Sequence, residues 1–389
     1  MATLESGGTA TSVSEDDVRD ALATVNDPEI GKPITELGMV KSVGIAADGR
    51  VDVAVYLTVA GCPMRDTITT RVRDAVAAVA GVTSVAVELD VMSDTQRKEL
   101  ATHLRGGQAE REVPFAQPGS LTRVYAVASG KGGVGKSSVT VNLAAAMAAQ
   151  GLKVGVVDAD IYGHSVPRML GVDGRPTQVE NMIMPPAAQG VKVISIGMFT
   201  PGNTPVVWRG PMLHRALQQF LADVFWGDLD VLLMDLPPGT GDIAISVAQL
   251  VPNAEILVVT TPQQAAAEVA ERAGTIAVET RQTVAGVIEN MSGLPCPHCD
   301  DHILDVFGSG GGQRVADGLS QATGTKVPLL GQIPIDTRLR EGGDTGTPVV
   351  LDAPDSPAAA ALNAIATKLG NRQRGLSGMQ LGLTPRRKF

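Results

Sequence analysis

At 389 residues the chain is too long for one ordinary hydrophobic core and reads as two domains. A formal net charge of −9, from 32 basic and 41 acidic side chains, excludes a general nucleic-acid binder, which needs clustered Lys and Arg to release counterions. A globular 44% hydrophobic content without an 18-residue apolar run, acids among the first 17 residues and only three cysteines (Cys62, Cys296, Cys299) argue against a membrane span, a signal peptide and a disulfide framework, so the expectation is a cytoplasmic protein.

Residues 1–11 are small and polar and read as disordered. Ser14 followed by Asp17 predicts a capped helix running to about Thr24. Val40–Ile45 and Val51–Val59 predict strands, the second alternating apolar and polar, with Asp48-Gly49 as the turn between them. Pro63 is expected to open a helix to about Ala80, and Val82–Leu89 to form a third strand. Residues 12–95 therefore predict a small α+β domain. Residues 96–118 carry charges, a glycine pair and prolines without a sustained apolar period, and read as a linker.

From residue 119 the pattern changes. Val124–Ala128, Val154–Val157, Val191–Ile196, Val231–Met234, Ile256–Val259 and Val284–Ile288 are short aliphatic runs. Helical stretches separate most of them, such as Val139–Gln150, Met212–Val224 and Ala265–Ala277, and a last helix is expected over about Ser356–Leu369. This alternation predicts an α/β fold with a doubly wound parallel sheet over residues 119–370. Residues 371–389 hold Arg372, Arg374, Arg386, Arg387 and Lys388 without an acid. They read as a disordered, solubilising tail, with contact to an acidic partner or a membrane as the other reading.

Gly130-Lys131-Gly132-Gly133-Val134-Gly135-Lys136-Ser137 fits G-x-x-x-x-G-K-[ST] at every required position, between an aliphatic strand and an Ala-rich helix that opens with Ser137-Ser138. Glycines are needed there because successive backbone N–H groups converge on phosphate oxygens with no side chain between. Lys136 would neutralise the β and γ oxygens of ATP, and the Ser137 hydroxyl would coordinate Mg²⁺. Asp158 and Asp160 end one strand, and Leu232–Gly239 is a Walker B-like strand end. There Asp235 would hold the Mg²⁺ shell and Gly239 would free an N–H near the γ-phosphate.

Cys296-Pro297-His298-Cys299 sets two thiols at i and i+3 in a Gly- and Pro-rich loop. Zinc and iron–sulfur clusters each take about four ligands, so one chain offers half a Cys₄ set, and a symmetric homodimer would complete it around a [4Fe–4S] cluster. Three other readings stay open: a Cys₂His₂ zinc site with His298 and His302, a dithiol redox switch, and two cysteines without a ligand role.

Asp158-Ala159-Asp160-Ile161-Tyr162-Gly163, Trp208–Met212, Asp235–Asp242, Glu289-Asn290-Met291-Ser292 and the Cys296/Cys299 pair together resemble the Mrp–ApbC iron–sulfur carrier ATPases, over about residues 119–370. Lys131 resembles the extra lysine of the deviant Walker A group, which also includes MinD, ParA and the nitrogenase iron protein. The resemblance implies an ATP-sandwiched homodimer in which Lys131 reaches the partner's nucleotide. It also implies that Asp160 orients the attacking water, Asp158 joins the Mg²⁺ shell and Asn290 reads adenine. Apo iron–sulfur proteins and cluster scaffold proteins are the implied partners, with neither nucleic acid nor membrane. The same resemblance keeps two further functions in view, a MinD- or ParA-like positioning ATPase on membrane or DNA and an iron-protein-like electron carrier. In the first domain Asp27-Pro28-Glu29, Leu37–Val40 and Gly61–Met64 resemble the MIP18-like domain associated with iron–sulfur assembly. Cys62, just before the helix expected from Pro63, is a candidate transient ligand or a cysteine with no chemistry.

Overall fold

The computed structural model describes residues 13–58, 64–104, 112–117, 119–160, 163–180, 182–199, 210–239, 242–264, 277, 279–280, 282–296, 298–299 and 302–370. The chain divides into two compact units, residues 1–110 with 177–184, and residues 111–176 with 185–389.

In the first unit Ser14 caps α1 (Glu15–Ala23), accepting from Asp17 N at 3.1 Å while the Asp17 carboxylate accepts from Ser14 N at 3.4 Å. β1 (Val40–Ile45) pairs antiparallel with β2 (Arg50–Leu57) through a turn at Gly49, whose φ of +82° suits glycine. α2 (Arg65–Ala77) connects β2 to β3 (Ser84–Val91), which lies parallel to β2 in register from Arg50↔Ser84 to Leu57↔Val91. The alternation in β2 buries Val51, Val53, Val55 and Leu57, and α2 buries Ile68, Val72 and Val76 at helical spacing. The helix expected from Pro63 to about Ala80 begins at Arg65, with Met64 as its N-cap, and ends three residues short of Ala80; Pro63 itself lies outside the described residues.

The reading of residues 96–118 as a linker is corrected in its first part, which lies inside α3 (Asp94–Leu104). Ser93 and Gln96 start that helix with a reciprocal cap: Ser93 Oγ accepts from Gln96 N at 3.3 Å, and Gln96 Oε1 accepts from Ser93 N at 2.9 Å. Such a start is local to four residues, and a search for apolar period does not register it.

The second unit opens with β4 (Arg123–Ala128), α4 (Lys136–Ala149), β5 (Val154–Asp158) and α5 (Val166–Met169). The next two strands, β6 (Thr177–Val179) and β7 (Met182–Met184), form a hairpin that groups with the first unit. Thr177 Oγ1 donates to the Glu29 carboxylate at 3.2 Å, and Arg97 Nε stands 3.5 Å from Glu180. The remaining elements are β8 (Ala187–Ala188), β9 (Val191–Ser195), α6 (Gly210–Ala222), β10 (Val231–Asp235), α7 (Asp242–Leu250), β11 (Glu255–Thr260) and β12 (Val284–Asn290). After these come β13 (Leu294–Pro295), β14 (Ile303–Leu304), α8 (Gly311–Thr323), β15 (Leu329–Ile333), α9 (Thr337–Thr345), α10 (Val349–Asp352) and α11 (Pro357–Gly370). The helix expected over Ala265–Ala277 falls almost wholly outside the described residues.

The main sheet runs β15-β12-β11-β4-β10-β5-β9-β8, parallel except for the short edge strand β8. Every residue of β5, β10 and β12 is buried, which is why these strands read as aliphatic runs and not as alternating ones. β15 escaped the sequence reading because Gly331 and Gln332 interrupt its apolar run; Gly331 is required by close packing, since a Cβ there would press on Ile365 of α11. The chain steps from β4 past an empty place to β5, and β10 later fills that place. The carboxyl ends of β4, β10 and β5 thus meet at a topological switch point, where α/β sheets bind ligands.

Candidate functional site

The loop after β4 turns through Gly133 and Gly135, both at φ +79°, and delivers Lys136 as the first residue of α4. A side chain at Gly135 would collide with Asn290, so this glycine is required twice over, by conformation and by space. Lys136 is 6% exposed, with Nζ 2.8 Å from Asp235 Oδ2 and 4.0 Å from Asp160 Oδ2. Those contacts are electrostatic without hydrogen-bond direction, so the buried ammonium keeps unspent donors. Phosphate oxygens at the mouth of a glycine loop would supply the missing acceptors.

Asp235, at the end of β10, is fully buried and takes Ser137 Oγ at 2.6 Å and Thr140 Oγ1 at 2.8 Å. Ser137 and Asp235 thereby form an all-oxygen pair at the phosphate loop, the donor set that Mg²⁺ prefers. Ser138 is half-buried behind them, its carbonyl accepting from Asn142 Nδ2. Register sets Asp158 directly beside Asp235. Burial above all, then the Asp235 charge, push the Asp158 carboxyl up to about 8, against hydrogen bonds from Ser195 Oγ (3.0 Å) and Asp160 N (3.2 Å). Asp160 is also buried, accepts from Gly163 N at 3.1 Å and faces Lys136.

Three expected groups are found in specific company. Lys131 Nζ donates to Gln263 Oε1 of its own chain at 2.8 Å. Asn290 Nδ2 donates to the Val134 carbonyl at 2.9 Å, so its amide supports the phosphate loop itself. The Gly239 N–H, expected to be open, is taken by the Ser129 carbonyl at 2.8 Å, because Gly239 at φ +94° folds back toward the end of β4. Residues 130, 132 and 133 line the loop with partial or full exposure.

The cysteine pair sits on a separate projection. β13 and β14 form a two-stranded antiparallel piece, and Cys296 N donates to His302 O at 2.8 Å across its mouth. Cys296 is half-buried and Cys299 exposed, and both are free thiols. The His298 N–H first, then the Cys299 thiol, hold the Cys296 thiol below its ordinary range. Among the described residues no three His, Cys, Asp or Glu side chains converge as a metal site. Cys62, Ile161, Tyr162, Trp208, Arg209, Thr240, Gly241, Pro297 and the basic tail lie outside the described residues.

Sequence reasoning passed over Thr140 and Ser195 on the two aspartates and Gln263 on Lys131, and it read Glu289 only as part of a motif string, without its role in holding Ser292. Thr140 was within reach, one helical turn after Lys136 on the same face. Glu289 was visible as an acid ending an otherwise aliphatic run.

Two family models match the chain. Residues 120–370 match the family described as NUBPL iron-transfer P-loop NTPase, and residues 15–89 match that described as iron–sulfur cluster assembly protein. A protein of Mycobacterium tuberculosis named iron–sulfur cluster carrier protein is 67% identical over 371 residues, 95% of this chain and 97% of its own. A Synechocystis protein of the same name is 40% identical over 92% of this chain and 98% of its own. A solved nucleotide-binding protein from Archaeoglobus fulgidus, in complex with ADP, superposes with a TM-score of 0.50 at 36% identity, covering 59% of this chain and 92% of its own.

Proposed function

The chain belongs to the NUBPL iron-transfer P-loop NTPase family and is an ATP hydrolase, and from that premise we propose that it is a cytoplasmic carrier that accepts a [4Fe–4S] cluster and passes it to apoproteins. The observation that carries this reading is the pair of free thiols, Cys296 half-buried and Cys299 exposed, in the same unit as the phosphate loop. Two thiolates are half of a cluster's usual ligand set, and a second copy related by a two-fold axis supplies the rest. A cluster so held is cargo at an accessible edge, suited to exchange.

In hydrolysis Lys136 neutralises the β and γ oxygens with its unspent donors, and Asp160, 4.0 Å from that ammonium, orients the attacking water. Ser137 and Asp235 would hold Mg²⁺, which would supply neutralisation of phosphate charge. Asp158, kept largely protonated by its surroundings at neutral pH, is a hydrogen-bonded prop for the Asp160 turn. Lys131 leaves Gln263 to meet the partner copy's nucleotide, so that dimer formation and nucleotide state are linked.

Anaerobic reconstitution with ferrous iron and sulfide, followed by absorption spectroscopy and iron and sulfide counting, tests the reading. About four irons per pair of chains are expected, with none in Cys296→Ala/Cys299→Ala. Wild type that binds no iron, or a double variant that binds as much as wild type, overturns it. ATP-dependent pelleting of cluster-free protein with liposomes or DNA would instead favour a positioning ATPase.

A further inference from the structure

The phosphate loop and the cysteine projection are both anchored at one strand end. Asn290, the last residue of β12, donates to the Val134 carbonyl in the loop at 2.9 Å and fills the space that a side chain at Gly135 would need. Its neighbour Glu289 points the other way, as successive strand residues do. Glu289 is fully buried, and the three donors that hold it are uncharged: Ser292 Oγ at 2.6 Å, Gln332 Nε2 at 2.7 Å and Gly312 N at 2.5 Å. They come from the segment entering the cysteine projection, from β15 and from the start of α8. A glutamine here would turn an amide N–H toward one of these donors, so the acceptor-only carboxylate is what allows three elements to share one anchor.

Between Asn290, held on the phosphate loop, and Ser292, held by Glu289, stands Met291, at φ +58°. This left-handed conformation is costly for a residue with a Cβ and persists only where the surroundings over-determine it. The surroundings here do so on both sides. Asn290 pairs with Ile333 in the sheet, Ser292 N donates to Ile333 O, and Ile335 N donates to Gly293 O. Three residues after Gly293 comes Cys296.

We propose that Glu289–Ser292 is a coupling segment in which Asn290 follows the phosphate loop, Glu289 and Ser292 set the cysteine projection, and Met291 is the strained joint that transmits displacement from one to the other. The inference rests on the reading of Cys296 and Cys299 as the working ligand pair. Its physical basis is a short, over-constrained link: a shift of the Val134 carbonyl on phosphate binding pulls on Asn290, and a joint with no slack passes the shift to Ser292. Met291 and Glu289 are positioning residues and touch neither nucleotide nor cargo in this scheme.

The test uses the full-length, reduced, cluster-free protein and measures maleimide alkylation rates of Cys296 and Cys299 by peptide mass, with and without Mg-ATP. In wild type, Mg-ATP should change the rate about fivefold or more, the lower end of ordinary coupling between sites. Met291→Gly fits the same φ without strain; it should keep Mg-ATP binding and bring the rate ratio to near one. Gln189→Gly relieves another left-handed residue (φ +53°) in the β8–β9 turn and should keep the wild-type ratio. Ser292→Ala, which removes only a hydroxyl, should lower the ratio and serves as the second variant if Met291→Gly fails to fold. A wild-type ratio of one, or a wild-type ratio in both Met291→Gly and Ser292→Ala, overturns the proposal. Iron and sulfide loading is read separately: protein that shows coupling and loads no cluster overturns the carrier reading alone, and protein that loads but shows no coupling overturns this one alone.

Discussion

The phosphate site and the cysteine projection use polar groups in opposite ways. At the phosphate site Lys136, Asp158, Asp160 and Asp235 are all buried, and the hydroxyls of Ser137, Thr140 and Ser195 hold the aspartates in place. At the projection Cys299 is exposed, Cys296 half-exposed, and the nearby Ile303, Leu304 and Val306 present apolar surface to solvent. Buried charge is costly unless partnered, and the buried charges of the first site find partners on their own chain but for the acceptors a ligand would bring. The second has few contacts to lose and, on the proposed reading, a ligand set that a second copy completes. A site that must bind tightly and react is preorganised, whereas one that must hand over its cargo is left open.

Substitutions should separate the two. Lys136→Ala removes the buried cation that contacts Asp160 and Asp235, and ATP hydrolysis should fall on the order of 10²–10³-fold or further. Iron binding after reconstitution should survive, and loss of both would mean that the two sites are one. Cys296→Ser/Cys299→Ser should do the reverse, with iron content at background while steady-state hydrolysis stays within about twofold, because an exposed thiol pair lends the sheet no stability. An ATPase abolished by that double change would break the contrast.

Asp158→Asn probes the cost of burial. An acid whose folded pKa is raised holds a proton that the unfolded chain has already released. Asp158 therefore costs stability progressively as pH rises from its ordinary 3.8 towards about 8. The variant should melt a few degrees above wild type at pH 8, on the order of 1 kcal/mol, with the gap closing as pH falls to 4. A gap independent of pH would show that the carboxyl is not held protonated.

The same contrast explains what the sequence made legible. The phosphate loop, Asp158 and Asp235 were readable because glycines and strand-end acids occur at intervals set by backbone geometry alone, and six of the main sheet's strands showed as aliphatic runs. β15 was missed because Gly331 is there for Ile365, a partner more than thirty residues away. Gln263 and the pairing of Glu289 with Gln332 were passed over for the same reason, since each involves a group brought near by the sheet order. The engagement of the Gly239 N–H with Ser129 depends on a fold-back between β4 and β10, strands distant in sequence and adjacent in space. Cap chemistry at α3 was local and could have been found, had four-residue signals been weighed against the lack of apolar period.

The smallest expected effect is the most exacting test of the open projection. Ile303 is 65% exposed, so its apolar surface is already in water in the free chain, and Ile303→Ser removes little that folding had gained. Cluster-free protein carrying it should melt within about 0.5 kcal/mol of wild type. A drop of several degrees would mean that the side chain is covered in the free protein, by its own chain or by a copy, and that the cysteine pair is not the exposed half-set on which cargo exchange depends. If the melting point holds in the free protein but falls in the reconstituted one, the surface is being covered when the cluster is bound, as two copies meeting around four thiolates require.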